Sequence, residues 1–329
     1  VKATARAHPN IALVKYWGKR DEELLLPFQG SLSMTLGGLS ATTTVEFGDG
    51  REDAAQLDGR WLDGAELARM GRALDRVRER AGICARARVA SQNDFPKAAG
   101  LASSAAGGAA LVAAASWAAG LTPAPRELSI LARQSSGSAC RSVEGGFCEW
   151  SAGEAKDGSD SFAVQVAGPS HWPELRMVVL VCAGEAKEVS SRDGMRHCVE
   201  TSVYYRAWVE CARQDLEAAR KALLARDFAA LGAVAERNAW RMHASAMGAD
   251  PPVIYLRPAT LAVIQEVAAL RAGGVPAYFT LDAGPNPVVL CRAADAHRVE
   301  ERLSAVPGVQ RSVIAASGGG VERLERHLF

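Results

Sequence analysis

The chain has 329 residues, with 38 Lys and Arg against 37 Asp and Glu and a formal net charge of +1. At roughly 150 residues per domain this is material for two domains or one large one. The balanced charge leaves no global field to hold a nucleic-acid backbone or an anionic membrane, no apolar run reaches the roughly 18–20 residues of a membrane span, and Val1-Lys2-Ala3-Thr4 does not read as a signal peptide; the expectation is a soluble, cytoplasmic protein without nucleic-acid or membrane partners.

In chain order, the block His8-Pro9-Asn10-Ile11-Ala12-Leu13-Val14-Lys15-Tyr16-Trp17-Gly18-Lys19-Arg20 comes first, followed by Gly30-Ser31-Leu32-Ser33-Met34-Thr35-Leu36. Residues 41–47 and 85–91 are β-branched or alternating and read as strands. Between them Leu67, Met70, Leu74 and Val77 have helical spacing. Residues 93–108 follow a strand and lead into an Ala-rich stretch up to Ala119. Strands recur at 162–166 and 175–182, after a polar stretch at 151–161 that reads as an exposed loop. From about Ser202 to Met242 helical spacing with few breakers predicts two helices meeting around Arg226-Asp227. Leu261, Ile264, Val267 and Leu270 mark a further helix that starts after Pro258 and stops at Gly273-Gly274. Strands at 277–281, 288–291 and 310–315 follow. Helices and strands interleave without a strict βαβ rhythm, so the fold class is α+β. A boundary near 182, where strand-rich gives way to helix-rich sequence, divides the chain into 1–182 and 183–329.

Composition narrows the chemistry. The seven cysteines (84, 140, 148, 182, 198, 211 and 291) are scattered without a C-x-x-C pair, and the six histidines show no H-x-x-x-H spacing. Neither a disulfide framework nor a protein-ligated metal is expected. Only seven of the 38 cations are lysine, at 2, 15, 19, 97, 156, 187 and 221. In a chain so biased towards arginine, the places where lysine persists are informative.

The segment Asn93-Asp94-Phe95-Pro96-Lys97-Ala98-Ala99-Gly100-Leu101-Ala102-Ser103-Ser104-Ala105-Ala106-Gly107-Gly108 has the makings of a phosphate site. Small residues let the backbone approach a ligand, and a helix N-terminus offers unpaired N–H groups to an anion. It matches neither G-x-x-x-x-G-K-[ST] nor G-x-G-x-x-G, and the same small residues also suit a close helix–helix contact. Lys19, Arg141, Lys187 and Arg192 lie in Gly- and Ser-rich surroundings where cations either converge on an anion or stand solvated; an arginine fork matches carboxylates and phosphates. Asp282, after the apolar run Ala277-Tyr278-Phe279-Thr280-Leu281 and before a Gly-Pro turn, is either a turn-former or a carboxylate aimed at a substrate hydroxyl.

Pro96-x-x-x-Gly100-Leu101-x-Ser103-Ser104-Ala105 resembles the ATP-binding motif of the GHMP kinase superfamily. That segment, the first block, Ser135-Ser136-Gly137-Ser138-Ala139-Cys140-Arg141-Ser142 with Gly145-Gly146-Phe147-Cys148-Glu149-Trp150, Lys187-Glu188-Val189-Ser190-Ser191-Arg192-Asp193-Gly194-Met195, and Phe279-Thr280-Leu281-Asp282-Ala283-Gly284-Pro285-Asn286 stand in the order of the mevalonate diphosphate decarboxylases. The chain resembles that family over nearly its whole length. The resemblance implies a GHMP-kinase-like two-domain fold, with a ribosomal-S5-domain-2-like first part, an α/β second part and a cleft between them. It implies ATP-dependent decarboxylation of (R)-5-diphosphomevalonate to isopentenyl diphosphate, ADP, phosphate and CO2, with ATP and Mg2+ as cofactors, and a homodimer.

The same resemblance assigns roles. Asn93, Pro96, Gly100, Leu101, Ala102, Ser103, Ser104 and Ala105 would hold ATP. Tyr16, Lys19 and Arg192 would meet the substrate diphosphate, with Ser136, Gly137, Ser191 and Met195 alongside. Ser138 and Arg141 suit the substrate carboxylate and neighbouring phosphate oxygens, Lys187 the transferring phosphate, and Asn10 the reacting centre. Asp282 would orient the tertiary hydroxyl and accept its proton. Residues 183–195, for their Gly and Ser content, are the candidate closing loop. Glu144 and Pro287 depart from the family pattern, where an aromatic and a small residue are usual. A decarboxylase for the monophosphate, a 3-kinase that stops at phosphorylation and a non-catalytic binding module are the alternatives; Lys19 and Arg192 favour a diphosphate, and Asp282 speaks against a kinase that stops.

Overall fold

In the computed structural model, which describes residues 1–94, 103–182 and 188–329, the strands gather into three principal sheets. The first runs Glu322–Leu324, Lys2–Ala7, Ala41–Gly48, Arg86–Asn93, Ala54–Leu57 and Arg60–Trp61. Its pairs are antiparallel except Ala54–Leu57 against Arg86–Asn93. Along Arg86–Asn93 alternate side chains turn inward, as a half-buried strand requires, so Ala87, Val89 and Ser91 are buried. The helix Ser103–Ala118 packs on that face, and its alanines let it lie close: Ala109, Ala110 and Ala113 share a core with Ala5, Ala7, Val45 and Val89.

The second sheet orders Ala163–Ala167, Phe147–Trp150, Ser31–Thr35 and Asn10–Val14, and the third Ala277–Leu281, Pro287–Arg292, Leu175–Val181 and Arg311–Ala315. Both feed one core with the helices Tyr205–Leu224 and Phe228–Met247: Leu13, Met34, Val179, Leu223, Phe228 and Leu290 belong to a single buried cluster. On its other face the third sheet is covered by Pro258–Ala272 and Ala296–Ser304, through Val263, Val267, Phe279, Val289, Val299 and Leu303.

The predicted strands and helices are present, with instructive differences. The two-helix reading of 202–242 holds: Asp227 caps the second helix by accepting from Ala230 N at 3.0 Å. On Pro258–Ala272 the buried stripe is Thr260, Val263, Val267 and Leu270, while Leu261 is exposed, so the expected face is rotated. Residues 191–195 are not loop: Ser190 caps the helix Ser191–Thr201, accepting from Asp193 N at 3.1 Å, which removes them from the expected closing loop. Residues 183–187 lie outside the described residues. The stretch 151–161 is only partly exposed, because the buried Arg133 donates to Gly158 O at 2.8 Å and Ser161 O at 2.5 Å.

Leu175–Val181 is an inner strand of the third sheet, paired on both sides with later segments, so the change of sheet falls before Leu175. The last residues also return to the first half: Glu322–Leu324 pairs with Lys2–Ala7, and 316–320 is laced to 35–37 and 145–146.

Gly145 shows how tight that lacing is. Its φ is +73°, and an added Cβ would sit 2.2 Å from Gly319 C. Strain and backbone overlap combine, so Gly145→Ala should destabilise the protein by about 2–4 kcal/mol, read as a lowered denaturant midpoint with an unchanged slope.

Candidate active site

The strand Asn10–Val14 is wholly buried, and the chain after it packs against the helix Tyr205–Leu224. Gly18 makes this possible. At φ +93° its hydrogen faces the Tyr205 hydroxyl, which a Cβ would meet at 1.8 Å. Trp17 O accepts from Tyr205 Oη at 3.1 Å and Trp208 Nε1 at 3.3 Å, so the block is bolted to the helix Tyr205–Leu224.

This anchoring places Lys15. Its side chain is 2% exposed, and its Nζ donates to Asp282 Oδ1 at 2.5 Å and to Ala12 O at 2.7 Å. Its backbone N–H donates to Asn238 Oδ1 at 2.8 Å, and Asn238 Nδ2 in turn donates to the buried Asp215. Burial pulls the Lys15 ammonium below the usual lysine range, and Asp282 opposes that pull. Asp282 ends the strand Ala277–Leu281 with 34% of its side chain exposed, so one face meets Lys15 and another is open. It is not merely a turn-former.

Arg141 forms the other wall. It is 3% exposed, donating through Nη1 to Ser31 Oγ at 2.6 Å and through Nε to Asn10 Oδ1 at 3.2 Å. Asn10 Nδ2 donates to Ser142 Oγ at 2.8 Å and to Ser138 O at 3.0 Å, so Asn10 orients both the guanidinium and the 3-10 turn Gly137–Ser142. Burial lowers the Arg141 pKa, opposed by groups that include Asp282. Tyr16 stacks edgewise on Trp150 at 4.7 Å, with its buried hydroxyl left without a hydrogen-bond partner among the described residues. Gly137 must be glycine here: a Cβ would lie 2.8 Å from the Tyr16 ring.

The remaining expected residues distribute around this centre. Lys19 is buried and pairs with Glu22 Oε2. Ser136 and Ser138 are half-buried beside Gly137. Ser191 and Arg192 stand exposed on the first turn of Ser191–Thr201, whereas Met195 turns inward with Trp17, Cys198 and Tyr205 in an apolar cluster. On the nucleotide side Asn93 is held by Asp58, to which its N–H donates at 2.8 Å and its amide at 3.2 Å. Ser103 opens the helix Ser103–Ala118; Ser104 is exposed and Ala105 buried on its first turn. That helix lies against the 3-10 turn, since a Cβ on Gly108 would meet Ser135 Oγ at 2.7 Å and Ala139 Cβ at 3.1 Å. Pro96, Gly100, Leu101, Ala102 and Lys187 lie outside the described residues.

Sequence reasoning undervalued Lys15 and missed Ser31 and Asn238 as partners. The scarcity of lysine was the one signal for Lys15. Ser31 and Asn238 carry no signal of their own, because their role arises only when distant segments meet.

The floor of the site is closed. Cys140 and Cys148 are buried, donate to Gly137 O and Gly145 O, and have thiols pushed up to about 12 by burial. At pH 8 neither should form thiolate. Thiol titration of the native protein should therefore find Cys84, which is exposed, reacting fast while Cys140 and Cys148 react only after denaturant is added.

Comparison with known proteins is consistent across the chain. Residues 7–163 match the family model described as diphosphomevalonate decarboxylase-like N-terminal domain, and residues 177–318 match mevalonate 5-diphosphate decarboxylase C-terminal domain. The diphosphomevalonate decarboxylase of Bos taurus is 42% identical over 308 residues, covering 88% of this chain and 76% of the relative. That of Homo sapiens is 42% identical over 306 residues, covering 87% and 76%. The crystal structure of mevalonate diphosphate decarboxylase from Staphylococcus aureus superposes with a TM-score of 0.94 at 39% identity, over 98% of both chains. A structure of the Enterococcus faecalis enzyme, concerned with ATP binding mediated by mevalonate diphosphate, gives 0.91 at 40% identity over 99% of both. Shared sequence over both halves and a shared fold at this level leave one assignment: the chain belongs to the diphosphomevalonate decarboxylase family.

Proposed function

We propose that this protein catalyses the ATP-dependent decarboxylation of (R)-5-diphosphomevalonate to isopentenyl diphosphate, ADP, phosphate and CO2, and that Asp282 is the group that takes the hydroxyl proton. The observation that carries the role of Asp282 is its half-open carboxylate, fixed 2.5 Å from the ammonium of Lys15. A tertiary hydroxyl is a poor leaving group; phosphorylation converts it to a good one. Asp282 orients the hydroxyl and accepts its proton as the γ-phosphoryl arrives, a step governed by placement and charge. Departure of phosphate leaves positive character on the tertiary carbon, and the neighbouring carboxylate collapses into CO2 and the alkene.

The other residues serve this sequence. Arg141, whose fork is already oriented by Asn10 and Ser31, meets the substrate carboxylate together with Ser138. Tyr16, Lys19 and Arg192 take the diphosphate, Ser136, Gly137, Ser191 and Met195 shape its surroundings, and Lys187 sits by the transferring phosphate. Asn93, Pro96, Gly100, Leu101, Ala102, Ser103, Ser104 and Ala105 hold ATP, supported by the position of Ser104 on an open helix N-terminus. Magnesium would be held by the ATP phosphate oxygens, where it supplies neutralisation of the transferring charge. The same reading takes the protein as a cytoplasmic homodimer; among the described residues no helix is long and apolar enough to cross a membrane.

With ATP, magnesium and diphosphomevalonate, the purified protein should release CO2 and ADP one for one. ADP without CO2 would make it a 3-kinase, and faster turnover of the monophosphate would make it the sister decarboxylase. Asp282→Asn keeps the shape and removes the base: turnover should fall by about 10³-fold or more while ATP binding, measured by calorimetry, is retained. Turnover near the parent rate in that variant would overturn the role of Asp282.

A further inference from the structure

Lys15 stands one residue past the last ladder pair of the strand Asn10–Val14, that of Val14 with Leu32. Its N–H is met by a side chain instead: Asn238 Oδ1 accepts it at 2.8 Å. Asn238 lies on the helix Phe228–Met247, and its Nδ2 donates at 3.0 Å to Oδ2 of Asp215 on the helix Tyr205–Leu224. A buried carboxylate needs partners, and the same helix supplies two more. Arg237 donates to Asp215 Oδ1 through Nη2 at 2.8 Å and Nε at 3.0 Å, and Arg241 donates through Nη1 to both oxygens at 3.0 Å. These partners of Asp215 are all donors, so the carboxylate serves as acceptor only, while the backbone N–H of Lys15 can only donate. A primary amide set between an acceptor and a donor has one orientation that satisfies both. Asp215 therefore fixes which end of Asn238 faces Lys15.

We propose that Asn238 and Asp215 are positioning residues for the reaction: together they set the backbone of Lys15, and through the Lys15 ammonium they set the carboxylate of Asp282. The ammonium folds back to Ala12 O at 2.7 Å and reaches Asp282 Oδ1 at 2.5 Å, so where its own backbone stands decides where it holds Asp282. At 0% and 1% exposed, Asn238 and Asp215 act through Lys15 rather than on the substrate. The proposal rests on Asp282 receiving the hydroxyl proton. Arg237 and Arg241 alone would suffice to brace one helix on the other; Asn238 adds a bond to the backbone N–H of the residue that pairs with Asp282. An amide in place of the Asp215 carboxylate would undo that bond. With its oxygen taken by the two arginines, its NH2 would face Asn238, and the Asn238 amide would have to turn and set its own NH2 against the Lys15 N–H.

Asn238→Leu removes the acceptor at similar volume, and Asp215→Asn keeps the shape of the carboxylate while reversing the amide behind it. Per folded molecule, Asn238→Leu should lose kcat by about 10²-fold, the cost of a small misplacement of a reacting group, with KM for both substrates nearly unchanged. Asp215→Asn should lose about 10-fold or more, and the double variant should be no slower than Asn238→Leu alone, because Asp215 acts through Asn238. Amide hydrogen exchange at Lys15 should be faster in both single variants than in wild type, a readout independent of turnover. Should Asn238→Leu not fold, Asp215→Asn tests the same link. A brace between helices and nothing more would lower the denaturant midpoint and leave kcat per folded molecule intact. That result, multiplying losses in the double variant, or a Lys15 amide equally protected in all the proteins would overturn the proposal. Wild type assayed alongside separates the readings: if it does not release CO2, the decarboxylase assignment fails; if it does and the variants match it, only the roles of Asn238 and Asp215 fail.

Discussion

A lysine ammonium that is 2% exposed must be accompanied, and much of the site's architecture answers that requirement for Lys15. Its charge is met by Asp282 from the end of the third sheet, a second ammonium donor by Ala12 O, and its backbone by Asn238. Asn238 is held by Asp215, and Asp215 is held in turn by Arg237 and Arg241. A chain of polar contacts thus runs from the solvent face of the helix Phe228–Met247 to the Asp282 carboxylate. Each link fixes the next, so the register of that helix against the strand Asn10–Val14 decides where Asp282 points.

The same burial explains how a chain of net charge +1 attracts a multiply anionic substrate. Lys15 and Arg141 are both withdrawn from water, and the carboxylate acting on both is Asp282. Two buried cations facing one carboxylate leave an excess positive charge in a poorly hydrated place. An anion placed there would complete the pairing, its desolvation offset by a Coulombic attraction that a neutral wall does not offer. Arg133 shows the contrasting use of a buried guanidinium. It donates through Nη1 to Gly158 O and Ser161 O and so shapes a loop. Burial alone does not mark a functional cation.

What could be read from the residues follows from the range of the interactions involved. Ala277–Leu281 was legible because apolar residues bounded by turn formers identify a strand locally. Ser31–Thr35 was not, since its three hydroxyl residues look like loop and are nonetheless entirely buried, with Ser31 turned to Arg141. The stripe on Pro258–Ala272 was misaligned because an Ala- and Val-rich helix has little amphipathic contrast, and packing on the third sheet rather than sequence chose Val263 over Leu261.

The site divides along the same line. Asp282, Arg141 and Asn10 sit in short blocks whose residue types announce charge and turn chemistry, and the structure brings them to one place. Asn238 lies on an otherwise ordinary helix, more than 220 residues along the chain from Lys15. Its surroundings in space, not its neighbours in sequence, give it a role, because a polar group on a helix interior acquires meaning only from the backbone donor that folding sets against it. Residues that touch substrate are constrained by chemistry that a motif can display. Residues that hold those in place are constrained by contacts, and contacts become visible only with the fold.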